Sequence, residues 1–137
     1  MNILKVFTRA RKIANVGERA AAKHLRRKKY KILEKNYVAK NNEVDIIAQN
    51  RDFLVFIEVK TRSYGEGGTA FESRPAAAVT PKKQDAMIKV AKCYIAYNRP
   101  NKRIRFDIIE VYINKDGGIE RINHIENAFR QERRNFQ

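Results

Sequence analysis

The sequence predicts an α/β protein in which helices pack against a mixed β-sheet, with the elements in the order α-β-β-β-α-β-β. Two segments have helical periodicity, and three strand-like segments lie between them. Two further β-rich segments follow the second helix. With 43% hydrophobic residues, the chain of 137 residues can bury the core of one such domain.

The two predicted helices are defined by their packing positions and end signals. The first covers residues 15–29, and its basic C-terminal end, Arg26–Lys29, suits the helix dipole. The second begins at Pro81, a residue that fits the first helical position, with Thr80 as its N-cap. Its apolar positions recur on one side: Ala86, Met87, Val90, Ala91, Tyr94 and Ile95.

Between the helices, the pattern predicts a first strand and then a hairpin. Tyr30–Val38 is rich in β-forming residues. Glu43–Ala48 and Phe53–Lys60 are two apolar runs separated by QNRD, which is typical of a hairpin. Residues 61–80 contain three of the six glycines and show no clear period, so they are expected to form a long loop.

The C-terminal part predicts a second strand pair. Ile104–Ile113 has the composition of a strand, Asp116–Gly118 that of a turn, and Ile119–Ile125 that of a short partner strand. Residues 127–137 are expected to begin as a helix and to end in a polar tail. We therefore divide the chain into a basic N-terminal arm (1–14), one domain (15–129) and a polar basic tail (130–137).

Charge is the strongest compositional signal. Thirty basic and fifteen acidic residues give a net charge of +15, and residues 1–40 hold thirteen of the basic residues and two of the acidic ones. Such a chain attracts polyanions, and nucleic acid would bind it through counterion release. A cationic surface without a nucleic-acid partner, or contact with an anionic membrane, is the alternative.

The sequence also bears on location. No apolar run approaches the roughly 20 residues that span a bilayer, and no secretory signal is recognisable. The single cysteine cannot form an internal disulfide, which favours the reducing cytoplasm.

Charged residues lie within or beside the two apolar runs of the hairpin. If residues 49–52 form its loop, Glu43 faces Glu58, and both share one face of the hairpin with Asp45 and Lys60. Two carboxylates about 4 Å apart repel by about 4 kcal/mol at the effective dielectric of a protein edge. Protonation, a neighbouring Lys or Arg, or a divalent cation such as Mg²⁺ would offset this repulsion.

Two interpretations of these residues stay open. In the first, Asp45 and Glu58 bind a metal ion, and Lys60 serves a water molecule or stabilises charge on a phosphate. In the second, the strand ends are exposed and Lys60 forms cross-strand ion pairs with Glu58 or Glu43. Glu18, near the start of the first helix, is either a third metal ligand or a carboxylate that the helix dipole favours.

Lys82 and Lys83 lie in the first turn of the second helix, where cations oppose the helix dipole unless an anion binds there. A phosphate contact is one interpretation of these lysines, and simple solvation is the other.

Six short motifs occur in a characteristic order: GERAA (17–21), EVDIIA (43–48), FIEVKTR (56–62), AVTPKKQ (78–84), RFDII (105–109) and HIENAF (124–129). Together they resemble the bacterial YraN family, predicted nucleases of the restriction-endonuclease-like PD-(D/E)XK superfamily that are distantly similar to archaeal Holliday-junction resolvases. One departure is Asn42, since the family usually has glycine before the Glu-x-Asp.

The resemblance implies a restriction-endonuclease-like mixed sheet flanked by helices. It implies a metal-dependent endonuclease that hydrolyses phosphodiester bonds in DNA, with branched or junction DNA as a candidate substrate. Asp45, Glu58 and Glu18 would bind Mg²⁺ or Mn²⁺, and these three residues with Lys60 would be catalytic. Our hypothesis assigns nucleic-acid contacts to six residues: Lys82, Lys83, Gln84, Arg62, Arg26 and Arg27.

Other assignments are compatible with the same residues. RNA is the alternative nucleic acid, and a homodimer would suit a symmetric substrate. A non-catalytic nucleic-acid-binding module on the same scaffold is the alternative function.

A few chemically notable residues are expected to be structural. Arg105 and Asp107 share a strand face and are expected to pair. Cys93 is expected to be buried, and with His24 and His124 it is too dispersed along the chain for a recognisable zinc pattern. Two aromatic residues of the long loop either pack locally or stack on bases: Tyr64 and Phe71.

Overall fold

The structure, a computed structural model, describes the backbone of residues 3–63 and 79–130 and the side chains of residues 9–63 and 79–130. The predicted α/β class and element order are confirmed. The elements are α1 (Ile3–Arg27), β1 (Lys31–Ala39), β2 (Asn42–Gln49), β3 (Phe53–Ser63), α2 (Pro81–Asn98), β4 (Arg103–Ile113) and β5 (Ile119–Phe129).

The five strands form one mixed sheet in the order β1-β2-β3-β4-β5. Strands β3 and β4 are parallel, and the chain passes from one to the other through α2. The other neighbouring pairs are antiparallel. On β3, Val55 and Ile57 pack with α1 while Leu54 and Phe56 pack with α2, so the two helices cover opposite faces of the sheet.

Helix α1 is longer at its start than the sequence predicted. It begins at Ile3 rather than at residue 15, because no proline or glycine interrupts residues 3–16. Residues 3–14 of the predicted arm are therefore helical and continuous with the rest of α1. The helix ends at Arg27 rather than at residue 29, since Lys29 adopts the left-handed conformation (φ 70°).

Helix α2 begins where its end signals predicted. Thr80 is extended, and its hydroxyl accepts a hydrogen bond from the Lys83 N–H at 3.2 Å. The helix ends at Asn98 and is capped by Arg99 (φ 44°), whose N–H donates to the Ile95 carbonyl. Four of the predicted packing residues are fully buried: Met87, Val90, Ala91 and Tyr94. Cys93 is only partly buried, so its predicted burial is wrong.

Strand β5 replaces the helix that was expected to begin at residue 127. It continues to Phe129, whose ring stacks on Phe106 at 4.8 Å between centroids. Asn127 has a positive φ (54°) and donates its N–H to the Asp107 carboxylate, which holds this irregular end of β5 against β4. The strand thus has 11 residues and extends four residues beyond its expected end at Ile125.

Two further expectations concern the remainder of the chain. The loop aromatics Tyr64 and Phe71 and the tail beyond residue 130 lie outside the described residues. None of the helices in the described ranges combines the length and the apolar composition needed to cross a bilayer.

Candidate functional site

The β2–β3 hairpin is tighter than predicted. Ile46 pairs with Ile57 and Gln49 with Leu54, and the Asn50 N–H donates to the Phe53 carbonyl. The connecting turn therefore has two residues rather than the four of a 49–52 loop, and the predicted register is wrong by two positions. Because side chains alternate with a period of two, this error leaves the paired residues 46–49 and 54–57 on their predicted faces.

The turn between β1 and β2 accommodates Asn42, which stands where the resembled family usually has glycine. Lys40 and Asn41 take the positive backbone angles (φ 52° and 61°), while Asn42 begins β2. The Asn42 side-chain amide donates to the Lys40 carbonyl at 2.8 Å. The turn needs no glycine at residue 42, because the unusual conformations fall on the two preceding residues.

Asp45 lies where β2 separates from β3. The described ladder between these strands ends at the pair Ile46–Ile57. Val44 packs in the core cluster under α2 and Ile46 in the cluster under α1, so the strand turns over between them. The Asp45 Oδ2 atom accepts the Val59 N–H at 2.8 Å, which satisfies a β3 donor beyond the end of the ladder.

Helix α1 brings Glu18 to the same place. Gly17 is buried against Thr61 of β3, and a β-carbon on Gly17 would lie 1.9 Å from the Thr61 hydroxyl oxygen. Only glycine allows this approach of helix to strand. Glu18, the next residue, is partly buried and close enough to raise the pKa of Asp45.

The electrostatic environment of Asp45 is unfavourable for its charged form. Burial raises the pKa of Asp45 to about 7, the Glu58 and Glu18 carboxylates add to this effect, and the Val59 N–H and Lys83 oppose it. Glu18 of α1 and Glu58 of β3 are therefore close enough to Asp45 of β2 to influence its ionisation. Their mutual repulsion is relieved by any cation that binds between them.

Glu58 already has one cation beside it. Its pKa is raised by burial, and Lys83 of α2 opposes this rise. The Lys83 Nζ atom lies 3.2 Å from Glu58 Oε2, which is an ion-pair distance. The contact does not have the geometry of a full hydrogen bond, although its charge and proximity oppose the rise in the pKa of Glu58. We regard the contact as an ion pair that holds the buried Oε2 atom.

Lys60 follows Glu58 by two residues on the same side of β3. Its charge lowers the pKa of Glu58, whereas Glu43 raises it. Within residues 9–63 and 79–130, Lys60 forms no ion pair with Glu58 or Glu43 at 4.0 Å or less. The cross-strand pairs of the purely structural interpretation are thus missing from this part of the chain.

The carboxylate oxygens of this site are the kind of ligand that magnesium or manganese prefers, but they are not arranged as a complete set of metal ligands. Carboxylate oxygens are the ligands that Mg²⁺ prefers, usually one or two of them together with water and phosphate. In the described ranges, no three Asp, Glu, His or Cys side chains converge closely enough to form a complete ligand set. Asp45 and Glu58 could hold such an ion, with Glu18 as a neighbour, once Lys83 moves from Glu58.

The predicted nucleic-acid contacts fall into two groups. Lys82 and Lys83 lie at the start of α2 beside Glu58, and Arg62 follows Lys60 on β3. The Gln84 side chain stabilises the start of α2, because its Nε2 donates a hydrogen bond to the Val79 carbonyl at 2.9 Å. Arg26 and Arg27 do not lie at the site. These exposed residues are more than two helical turns, about 12 Å, beyond Glu18 along α1.

The structure contains a buried acid that the sequence reasoning missed. Glu110 in β4 is 2% exposed, and its Oε1 accepts a hydrogen bond from the Asn123 amide at 3.0 Å. Arg62 Nε lies 3.9 Å from the other oxygen, Oε2. An acidic residue in the middle of the apolar run IIEVYI was the signal that could have found it.

A separate polar network lies on the α1 side of the sheet. Arg105 donates from Nε and Nη2 to the two oxygens of Asp107 at 2.8 Å each, which confirms the predicted pair. His124 Nε2 lies 2.8 Å from Asp107 Oδ2, and its Nδ1 lies 3.1 Å from His24 Nε2. The two histidines are in contact although 100 positions separate them, a contact that their spacing along the chain did not indicate.

Asp107 is the centre of this network. Burial would raise the pKa of Asp107, but hydrogen bonds from His124, Arg105 and the Asn127 N–H hold it below its ordinary value. The pKa of His24 is lowered by burial and by the neighbouring His124 and Lys28. The network ties α1, β4 and β5 together on the α1 face of the sheet, whereas Glu58 contacts Lys83 of α2 on the other face.

Comparison with known proteins places the chain in a family. The model of uncharacterised protein family UPF0102 matches residues 17–111, a span that includes the whole Asp45–Glu58 cluster. A UPF0102 protein of Caldanaerobacter subterraneus subsp. tengcongensis is 45% identical over 119 residues, covering 85% of this chain and 93% of the relative. A UPF0102 protein of Clostridioides difficile is 46% identical over 114 residues, covering 82% and 92%. One of Flavobacterium johnsoniae is 41% identical over 121 residues, covering 85% and 93%. The chain therefore belongs to the uncharacterised protein family UPF0102.

Proposed function

We propose that this protein is a metal-dependent endonuclease that hydrolyses phosphodiester bonds in DNA. The observation that carries the proposal is the position of two partly buried carboxylates where β2 separates from β3. Asp45 accepts the N–H of Val59, the residue directly after Glu58, and Glu58 retains a buried oxygen without a hydrogen-bond donor. Acidic groups in such an environment favour binding of a divalent cation.

The residues present fit Mg²⁺ or Mn²⁺. Asp45 and Glu58 would hold the ion, and Glu18 would assist from α1. When bound, the ion would activate water for attack on phosphorus and neutralise charge on the phosphate. The raised pKa of Asp45 supports this role, because the protein has placed a carboxylate where its charge needs a partner.

Two lysines would serve the phosphate. Lys60 lies two residues after Glu58, and its ammonium would orient the attacking water or stabilise the charge that develops on the phosphate. Lys83 compensates Glu58 in the present structure and would be released to contact phosphate when a metal ion takes its place. Lys82, exposed in the first turn of α2, would provide a further phosphate contact.

The resemblance to the YraN family supports the same proposal. The Asp45 segment and the Glu58-x-Lys60 segment lie on adjacent strands of a mixed sheet flanked by helices, the kind of sheet that the resemblance implies. The net charge of +15 favours a polyanionic partner. A homodimer would present two such sites to a symmetric branched substrate.

One observation favours a non-catalytic nucleic-acid-binding module instead. Lys83 already compensates Glu58, and the described residues contain no complete set of three metal ligands. A protein of this kind would bind DNA or RNA with a steep dependence on salt and with no requirement for metal. Asp45→Asn would leave its binding unchanged.

The decisive experiment is a cleavage assay with purified protein. Branched, flapped and linear DNA, together with the corresponding RNA, are incubated with Mg²⁺, Mn²⁺ or EDTA. We expect metal-dependent cleavage of at least one DNA substrate and a loss of at least about 100-fold in rate for Asp45→Asn. Asp52→Asn is the matched control, because Asp52 is exposed in the turn of the same hairpin.

Two results would contradict the nuclease proposal. The first is the absence of cleavage with every substrate and metal, and the second is an Asp45→Asn protein that cuts as fast as the wild type. Metal-independent binding in either case would establish the binding module.

A further inference from the structure

The residue that carries a further inference is Glu110, which the proposed function leaves unused. Glu110 lies in the interior of β4 between Ile109 and Val111, both fully buried. One of its oxygens accepts the Asn123 amide hydrogen bond, while the other, Oε2, is buried and has no hydrogen-bond donor among the described residues. A carboxylate in this position is costly unless a cation compensates it.

The nearest cation that the structure shows is not an adequate partner. Arg62 Nε lies 3.9 Å from Glu110 Oε2, which is beyond hydrogen-bond range. Arg62 Nε is itself buried without a hydrogen-bond acceptor. The pair therefore leaves both atoms with unused hydrogen-bonding capacity, and a second cation is needed to satisfy Oε2.

The register of the sheet places the backbone of a second cationic residue beside Glu110. In the parallel ladder of β3 and β4, Lys60 is the direct partner of Glu110, and in the antiparallel ladder Asn123 is its partner on β5. Paired residues of neighbouring strands project on the same face. Lys60, Glu110 and Asn123 thus form one row across three strands, on the face that carries Glu58.

The unsatisfied atoms are concentrated around Lys60. In the described ranges, three buried side-chain atoms lack a hydrogen-bond partner: Glu58 Oε2, Arg62 Nε and Glu110 Oε2. Two belong to the residues that flank Lys60 at a spacing of two on β3, and the third belongs to its partner on β4. Within residues 9–63 and 79–130, the Lys60 ammonium forms no ion pair of 4.0 Å or less with any carboxylate, Glu110 included, so its three N–H donors reach Glu110 only after the flexible lysine side chain changes rotamer.

We propose that Glu110 is a positioning residue that holds the Lys60 ammonium beside Glu58 through its free oxygen. The role rests on the proposed function, because it supports the lysine assigned to the phosphate. A lysine has a flexible four-carbon stem, so an ammonium that acts at a defined place needs a fixed partner. The Asn123 amide holds Glu110, and Glu110 holds Lys60, as supporting groups do around other reactive centres.

The first test measures the pair without DNA, metal or activity. Glu110→Gln, Lys60→Met and the double variant are unfolded with urea in EDTA, and their midpoints are compared with that of the wild type. Glu110→Gln keeps the volume and an acceptor for Asn123 while removing the charge. We expect Lys60→Met to lower the midpoint less in the Glu110→Gln background than in the wild type, which is a non-additive cycle.

Control variants test whether Lys60 is the residue that Glu110 contacts. Glu120→Gln removes the same charge at an exposed position of β5 and should be additive with Lys60→Met. Additive midpoints for Glu110 and Lys60, or coupling of Glu110 to Arg62→Gln alone, would overturn the proposal. If Glu110→Gln does not fold, Glu110→Asp replaces it, since this change keeps the charge but withdraws it by one methylene.

The second test uses DNA cleavage. Glu110→Gln should lower kcat by about 10- to 100-fold with little change in KM, and Glu110→Asp should recover part of that loss. The Glu110→Gln/Lys60→Met protein should be no slower than Lys60→Met alone, because Glu110 acts through Lys60. An unchanged kcat in Glu110→Gln overturns the proposal. If the wild type cuts no DNA, the nuclease proposal fails, and the urea cycle still decides whether Glu110 holds Lys60.

Discussion

Gly17 of α1 and Thr61 of β3 are in such close contact that no other residue fits in place of the glycine. A β-carbon on Gly17 would lie 1.9 Å from the Thr61 hydroxyl oxygen and 3.0 Å from both Thr61 Cβ and Cγ2. This contact fixes the height at which α1 crosses the sheet, and with it the position of Glu18 near Asp45. One small residue thus connects helix packing to the electrostatics of the candidate site.

Gly17→Ala tests this connection. The added methyl group meets Thr61 whichever rotamer Thr61 adopts, so we expect the free energy of unfolding to fall by about 1–3 kcal/mol. Thr61→Ala in the same protein removes two of the three contacts and should recover part of the loss. Urea denaturation of the three proteins measures both effects. A Gly17→Ala protein as stable as the wild type would show that α1 can move away from β3 at no cost.

The raised pKa of Asp45 predicts how stability depends on pH. Burial, Glu58 and Glu18 raise the pKa of Asp45 from 3.8 to about 7 in the folded protein. The folded state therefore favours the protonated carboxyl, and the resulting stability is complete below about pH 4 and is lost as pH rises through 7. Asp45→Asn cannot ionise and keeps an acceptor for the Val59 N–H.

In EDTA, we expect the stability of the wild type to fall relative to Asp45→Asn between pH 4 and pH 7, by on the order of 2–4 kcal/mol. Urea denaturation at closely spaced pH values measures the difference. Asp52→Asn should follow the wild-type curve, because Asp52 is exposed. Parallel curves of stability against pH for the wild type and Asp45→Asn would mean that folding does not raise the pKa of the Asp45 carboxyl.

Local signals predicted those parts of the fold that depend on neighbours in sequence. Thr80 and Pro81 predicted the start of α2, and the alternation of side chains placed the paired residues of the β2–β3 hairpin on the correct faces despite an error in register. The error arose because the Asn50 side chain accepts hydrogen bonds from the Asp52 and Phe53 N–H groups and thereby tightens the turn. A composition of turn-forming residues does not indicate which turn they form.

Contacts between distant residues could not be predicted in the same way. The meeting of His24 with His124 and the pairing of Lys60 with Glu110 follow from the order of strands in the sheet, which a single sequence does not specify. Strand β5 was predicted too short because Asn127 is a poor strand former. Its N–H bond to Asp107 of the neighbouring strand overrides that preference.

Lys83 is expected to compete with metal for Glu58. Lys83→Met removes the ammonium that lies 3.2 Å from Glu58 Oε2, so Mn²⁺ or Mg²⁺ should bind more tightly to the variant than to the wild type. In EDTA the variant should lose about 0.2–1 kcal/mol of stability, since the ion pair is partly exposed. Isothermal titration calorimetry measures the affinity, and urea denaturation measures the stability.

The matched control for this change is Lys82→Met, which removes an exposed lysine from the same helical turn. It should leave metal affinity within error of the wild type. Equal affinities for the wild type and Lys83→Met would show that Lys83 and the ion do not share a position, and would favour the binding module over the nuclease.

The Asp107 network is expected to contribute to stability and not to the cleavage reaction. Asp107 is completely buried and receives hydrogen bonds from Arg105, His124 and the Asn127 N–H. Asp107→Asn leaves the buried Arg105 guanidinium with the exposed Glu126 carboxylate, 3.9 Å away, as its charged partner, so we expect a loss of about 3–5 kcal/mol in the free energy of unfolding. Asp116→Asn, in an exposed turn, should change the free energy of unfolding by less than about 0.5 kcal/mol. Thermal or urea denaturation distinguishes these values.

The activity of Asp107→Asn is a separate readout. The kcat of the Asp107→Asn protein that remains folded should stay close to that of the wild type. A folded variant of wild-type stability that no longer cuts DNA would instead place Asp107 in the reaction.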